Sequence, residues 1–380
     1  MSPKAKGELA REHLDRALPA VTAEDYTEAV TWLFAALEAA IVAVAERDGI
    51  DTKKRHWEKA KAAQRLHDSG VLPHDFSQVH DILNNARKVA VYEGEEPRTR
   101  RAFPRRRSRG GRGCGRAGGA GGCAVTEAIA PQSAHAWTND GAWHRSLEAA
   151  ALRVESCLPA KFHDLHGTLV RRARSAGARA LILSGSTARG RRTDVSDLDY
   201  HLIGPGVETR DLSRELDLHV LSEQKLRSEI LAGDDFVQWS VRFGCIVFDD
   251  GTVRRALRLI TERQPWPSVE RKREHAVKSL DLARRFVGTG DEDGAVEQVR
   301  TALSLAARAR LLGVGVFPLS RAELPGQLEG IGCMKAAHCL AATIYDSPPL
   351  SKLAEAVSHG EDLLARRDAL TELGAAERTR

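Results

Sequence analysis

Three aspartates define the chemistry open to this chain. Asp197 and Asp199 stand one residue apart at the start of an apolar run, and Asp217 sits inside a second one, residues 216–221. Leu198, Tyr200 and Leu202 alternate with Asp197, Asp199 and His201, the period of a strand with one face on a core, so both carboxylates project from the same face. In the second run Asp217 and His219 share a face opposite Leu216, Leu218 and Val220. If the two strands pair side by side, Asp217 completes a three-carboxylate cluster. Carboxylates that close repel unless one is protonated or a cation lies between them, and hard divalent cations prefer oxygen ligands. Mg²⁺ is the expected ion. The cluster suits a displacement at phosphorus with two ions, one lowering the pKa of an attacking hydroxyl and the other stabilising a pyrophosphate leaving group. On this reading Asp197 and Asp199 bind metal, while Asp217 binds metal or acts as the base toward the acceptor.

The element that must bring phosphate to these groups lies just upstream. Residues 180–183, Ala-Leu-Ile-Leu, read as a short buried strand, and Gly185 beyond them lets the backbone turn without a side chain in the way. Ser186 and Thr187 open a helical turn whose unsatisfied N–H groups favour an anion, and the Ser186 hydroxyl adds a donor. Ten residues separate Ser186 from Asp197, and this gap holds Arg189, Arg191 and Arg192. Arg189 is the first choice to reach a phosphate; a solvated basic loop is the alternative. His201 and His219 fall on the metal face by period and read as partly exposed polar residues at strand ends. Ser196 reads as a cap or as an orienting group for Asp197.

The run Gly185-Ser186-Thr187-Ala188-Arg189-Gly190, then Ser196-Asp197-Leu198-Asp199, then Leu216-Asp217-Leu218, resembles the polymerase-beta-type nucleotidyltransferases, above all their minimal members. The resemblance covers residues 145–260. It implies a small mixed sheet flanked by helices, Mg²⁺-dependent transfer of a nucleoside monophosphate from ATP or another NTP, and a Gly-Ser turn against the triphosphate. An inactive, degenerate copy is the competing reading.

Composition frames the rest of the chain. With 380 residues and 42% hydrophobic content, there is material for two or three domains with cores. The net charge of +5 is local: nine arginines fall between Pro97 and Gly118, and without them the balance is mildly acidic. That argues against a broad nucleic-acid surface on the folded parts. No secretory signal is visible at the start, and the most apolar stretch, residues 32–45, is interrupted by Glu38 and reads as a buried helix too short to span a membrane. Six cysteines show neither a CxxC pair nor zinc spacing, so they read as reduced thiols in a cytoplasmic protein.

The expected fold class is α+β: a small mixed-sheet catalytic domain flanked by two all-α helical-bundle domains. Residues 1–97 carry apolar residues at helical spacing over 10–18, 23–47, 52–68 and 75–92, which predicts a four-helix bundle. This part loosely resembles the HEPN helical superfamily, whose members accompany minimal nucleotidyltransferases in toxin–antitoxin pairs. The resemblance rests on helix count, the partner domain and the segment 85–92. The family's Arg and His, four to six residues apart, are missing here, so His56, His67, His74 and His80 read as surface or packing residues.

Residues 98–135, rich in Arg and Gly, read as a disordered linker with at most a weak RNA contact. The catalytic domain then spans 136–262, and a helical substrate-side domain spans 263–380, with helices over 269–287, 294–312, 334–345 and 350–373. Ser320 and Glu323 form a capping-box pattern, and Arg321 between them reads as part of that cap or as a contact to the acceptor. The acceptor is expected to be a protein hydroxyl, with Tyr92 of the same chain one candidate. A small molecule of the aminoglycoside type and a non-catalytic nucleotide-sensing module are the alternatives.

Overall fold

The computed structural model describes residues 2–52, 56–88, 90, 154, 157–192, 196–209, 211–213, 215–263 and 265–365. The Arg- and Gly-rich linker, Tyr92, the first part of the expected catalytic domain and the end of the helix expected over 350–373 lie outside these residues.

Four helices come first: α1 (Pro3–Thr22), α2 (Tyr26–Arg47), α3 (His56–Asp68) and α4 (Ser77–Lys88). α1 is longer than the expected 10–18 because Ser2 caps it, accepting from the Ala5 N–H, and Pro3 supplies a first-turn residue whose missing N–H costs nothing there. Asp25 caps α2 by accepting from the Glu28 N–H. The most apolar stretch of α2, residues 32–45, is too short for a membrane span, but the helix extends beyond it. The helix has 22 residues and is, among the described ones, the one long and apolar enough to cross a bilayer. Its apolar surface is used inside the protein: Trp32, Phe34 and Ile41 are buried, and Glu38 sits mid-helix with Lys59 at 2.9 Å.

The central part is built on a four-stranded mixed sheet in the order β3-β2-β1-β4, from β1 (Ala180–Leu183), β2 (Leu198–Ile203), β3 (Leu216–Leu221) and β4 (Cys245–Asp249). β1 is antiparallel to β2 and β4, and β2 is parallel to β3. Strand alternation gives the sheet two apolar faces. Leu181, Leu183, Leu198, Tyr200 and Leu202 pack with Phe162 and with Leu169 and Ala173 of α5 (His163–Ser175). On the other face Ala180, Ile182 and Ile203 meet α7 (Glu223–Leu231), α8 (Asp235–Phe243) and α9 (Thr252–Arg263). The short α6 (Gly185–Ala188) is the turn that leaves β1.

The chain closes with α10 (Val269–Thr289), α11 (Glu292–Gly313), α12 (Leu324–Gly330), α13 (Met334–Tyr345) and α14 (Leu350–Ala365). These helices and the first two share one apolar core. Trp32 of α2 stacks on Phe286 of α10 with ring centroids 4.0 Å apart, and Ala17 of α1 joins the same cluster. His13 packs on both rings and bonds Asp291 at 3.0 Å. A buried Trp and Phe in contact are together worth several kcal/mol, roughly 2–3 for each buried side chain, so the two helical ends are held to each other.

Candidate functional site

Strand pairing brings the aspartates together. In the parallel β2–β3 pair Asp199 is the register partner of Asp217, and His201 is the partner of His219. Asp197 stands one residue before β2, on the face of Asp199. That face is the one covered by α7, α8 and α9, but the cover is incomplete: Phe236 of α8 lies over His201 and His219, with ring centroids 5.0 and 4.9 Å away, while Asp197, Asp199 and Asp217 line a cavity of about 1740 Å³. The cavity runs between the sheet and the helices of both ends of the chain.

Gly185 and Ser186 line the same cavity. Gly185 has φ of +65°, and a Cβ added there would overlap the Asp199 carboxylate. The glycine is therefore required twice, once by backbone conformation and once by the space that Asp199 occupies. The Ser184 N–H donates to the Asp199 carbonyl at 2.8 Å, and the Ser184 hydroxyl lies 3.1 Å from His201 Nδ1. These contacts tie the Gly-Ser turn to the strand that carries Asp197 and Asp199.

The arginines of the gap are placed as braces. Arg189 donates to Glu323 at 3.0 Å, and its guanidinium lies 5.6 Å from the Phe243 ring centroid. Arg192 donates to the Asp197 carbonyl at 3.0 Å and to Glu215 at 3.1 Å, fixing the approach of β2 to the start of β3. Arg191 is exposed. Both histidines sit mid-strand, not at strand ends, with rings stacked 5.1 Å apart; His201 is buried, whereas His219 is partly exposed as expected. Burial holds both well on the neutral side, and His201 lies far below the usual histidine range.

Two cations reach the cluster from distant parts of the chain, and the sequence pattern marks neither strongly. Lys88, at the end of α4, donates to Asp197 at 2.9 Å and to Asp217 at 2.9 Å. It is 109 residues from one partner and 129 from the other, so no local spacing could have found it. Arg321 lines the cavity and acts electrostatically on Asp199. Its neighbours do form the expected cap: the Ser320 N–H and hydroxyl donate to Glu323 at 3.2 and 2.6 Å. The cap reading of this segment is realised, and Arg321 itself lines the cavity.

The charge state follows from this arrangement. Burial, then the charges of Asp217 and Asp197, push the Asp199 carboxyl up to about 7. Burial also acts to raise Asp217, but the Lys88 ammonium outweighs it and holds Asp217 below the ordinary carboxylate range. Lys88 in turn loses by burial and gains more from Asp217 and Asp197, so its ammonium stays protonated. The donors are of the type a hard divalent cation prefers, although Asp197, Asp199 and Asp217 do not bring their oxygens mutually within 4.8 Å as Glu38, His56 and His80 do their ligand atoms. All its ligand atoms are carboxylate oxygens, and a positive group, the Lys88 ammonium, already lies between two of them.

No family model matches this chain, and no curated protein does. Among solved structures it is similar to a nucleotidyltransferase-like protein from Exiguobacterium sibiricum, at 19% identity over 53% of this chain and 74% of that one, with a TM-score of 0.28. A similarity of that size carries no argument about fold or function.

Proposed function

We propose that this chain is a Mg²⁺-dependent nucleotidyltransferase that moves a nucleoside monophosphate, AMP from ATP in the first instance, onto a hydroxyl acceptor with release of pyrophosphate. The observation that carries this reading is the parallel register of Asp199 with Asp217, with Asp197 beside them and the Gly185-Ser186 turn against Asp199 in one cavity. Asp197 and Asp199 are the metal-holding pair, and Asp217 either completes the ligand set or receives the acceptor's proton. When bound, Mg²⁺ supplies charge stabilisation at the triphosphate and acidifies the attacking hydroxyl. Gly185 leaves room for the phosphates to approach the backbone, and Ser186 donates to them. Arg321, which lines the same cavity, neutralises charge that develops on the pyrophosphate. Arg189 serves through Glu323 by holding the helical wall against the turn.

The test is transfer of label from each α-³²P-labelled NTP, with and without Mg²⁺, by the intact chain. Label should pass to an acceptor only with Mg²⁺, and Asp197→Asn with Asp199→Asn should abolish it. Transfer that survives both substitutions rejects the reading.

For the acceptor, a protein hydroxyl is the first choice, as in toxin–antitoxin pairs of the resembled family. A cationic small molecule is the second, supported by the acidic residues Asp75, Asp81, Glu292, Asp293 and Asp346 on the cavity walls. Comparing label on the protein with label on added aminocyclitols separates them. The third reading, a nucleotide sensor without turnover, gains support from the Lys88 ammonium between Asp197 and Asp217; ATP binding unaltered by Mg²⁺ or by the double Asn variant would establish it.

A further inference from the structure

The carboxylate cluster has a counter-charge supplied by the chain itself. Lys88 is the last residue of α4, a helix that belongs to the N-terminal part and not to the sheet. Its ammonium stands at 2.9 Å from an oxygen of Asp197 and 2.9 Å from an oxygen of Asp217, so it occupies the space between the two carboxylates. The contact is supported by its surroundings. Arg87, the preceding residue, is buried, lies over the Phe34 ring at 4.9 Å and reaches Glu297 of α11 at 3.5 Å. α4 is thereby laid along the cavity with Lys88 directed at the sheet. Two large apolar residues of the same helix, Val79 and Ile82, are exposed.

A divalent ion and an ammonium cannot share these oxygens. Mg²⁺ sits about 2.0–2.1 Å from each ligand oxygen, which would leave it in close contact with the Lys88 ammonium and in strong repulsion with it. We propose that Lys88 is an intramolecular lock: it occupies the cation position of the cluster, and metal enters only when Lys88 leaves. The helical part carrying α4 then controls the sheet's site through a single side chain, and any partner or ligand that draws α4 away unlocks it. This inference rests on the reading of Asp197, Asp199 and Asp217 as metal ligands. By linkage the coupling is reciprocal, so the metal must free Lys88 as surely as Lys88 excludes the metal.

Two measurements on the full chain with Mn²⁺ as the probe test it. In the first, Mn²⁺ affinity is read by electron paramagnetic resonance for the wild type, Lys88→Gln, Lys88→Met and Lys88→Arg, and for Asp197→Asn with Asp217→Asn. If the locked form holds some nine-tenths of the molecules, removing the charge tightens Mn²⁺ binding about tenfold. Lys88→Arg, which keeps the charge, should stay near the wild type. Equal affinity in the wild type and in both neutral variants overturns the lock while leaving the metal reading intact. Absence of carboxylate-dependent binding in every protein overturns both.

In the second, amine labelling of Lys88 in the unaltered chain is followed by mass spectrometry with and without saturating Mn²⁺. Labelling should accelerate several-fold with the metal, while the exposed Lys161 serves as the unchanged reference. Unchanged labelling of Lys88 at saturation overturns the proposal without reliance on any variant.

Discussion

Two clusters of titratable groups lie along the same cavity, and they are built on opposite charge balances. In the first, Glu38 of α2 is a single carboxylate among bases: Lys59 bonds one oxygen at 2.9 Å, and His56 and His80 share the other at 2.6 and 2.9 Å. In the second, three aspartates face one lysine. Glu38, His56 and His80 bring ligand atoms within 4.8 Å of one another, close enough for a metal ion. Yet the charge there is already matched by Lys59, and Arg87 stands near enough to act on His56, so a divalent ion would meet two positive groups. The aspartates have the reverse need. Even with Lys88 present, Asp199 is pushed up to about 7, chiefly by burial and then by Asp217 and Asp197. The first cluster balances its charge and holds helices together; the second keeps one carboxyl protonated up to about pH 7.

The contrast predicts opposite responses to removal of charge. Glu38→Gln leaves the buried Lys59 ammonium without its counter-ion and should cost about 3–5 kcal/mol in urea unfolding. Asp199→Asn should do the opposite in metal-free buffer, stabilising the chain by roughly 1–3 kcal/mol at pH 8, while abolishing metal-dependent transfer. The sign follows from the raised carboxyl. Between about pH 4, where it ionises in the unfolded chain, and about pH 7, the folded form holds the extra proton. Wild-type stability from this group therefore falls as pH rises through that window, and the advantage of the Asn variant fades on acidification. If both variants destabilise alike, the distinction between the clusters is lost.

Gly185→Ala tests the space the second cluster needs. The left-handed φ should cost about 1–2 kcal/mol, and overlap with Asp199 should lower transfer by far more than that loss of stability accounts for. The smallest effect expected is a pH response of the first cluster. Burial, set against Glu38, pulls His56 down to about 4, whereas the unfolded chain takes up that proton near pH 6.5. Stability from His56 should thus decline as pH falls from about 6.5 toward 4, by roughly 1 kcal/mol for this half-buried ring, and His56→Asn should flatten that part of the curve. Thermal unfolding across pH 4–8 reads this slope and the opposite one of Asp199 together.

Much of the sheet was legible in the residues. The alternation of apolar and polar positions over 198–203 and 216–221 placed both strands and gave the shared face of the aspartates, because a two-residue period depends only on local backbone geometry. Gly185 was legible as a turn for the same reason. The spans of α2, α10, α11 and α13 were readable to within about three residues, α1 was extended by its cap, and α8 and α9 were not expected from the sequence. What the neighbours would be was not legible. His201 has the sequence context of a strand-end polar residue and is buried because α8 lays Phe236 across it. Arg189 has the context of a phosphate ligand and meets Glu323, 134 residues away.

The sequence by itself determined the donor set: three carboxylates on alternating strand positions and a glycine turn, all fixed by short-range periodicity and backbone freedom. Only the tertiary structure decided the register that sets Asp199 beside Asp217, the stacking of Trp32 on Phe286 that joins the two helical ends, and the arrival of Lys88 between Asp197 and Asp217. Such contacts depend on how buried apolar faces fit across long stretches of chain. A lysine at the end of an amphipathic helix carries no mark, in its own neighbours, of the carboxylates it will meet.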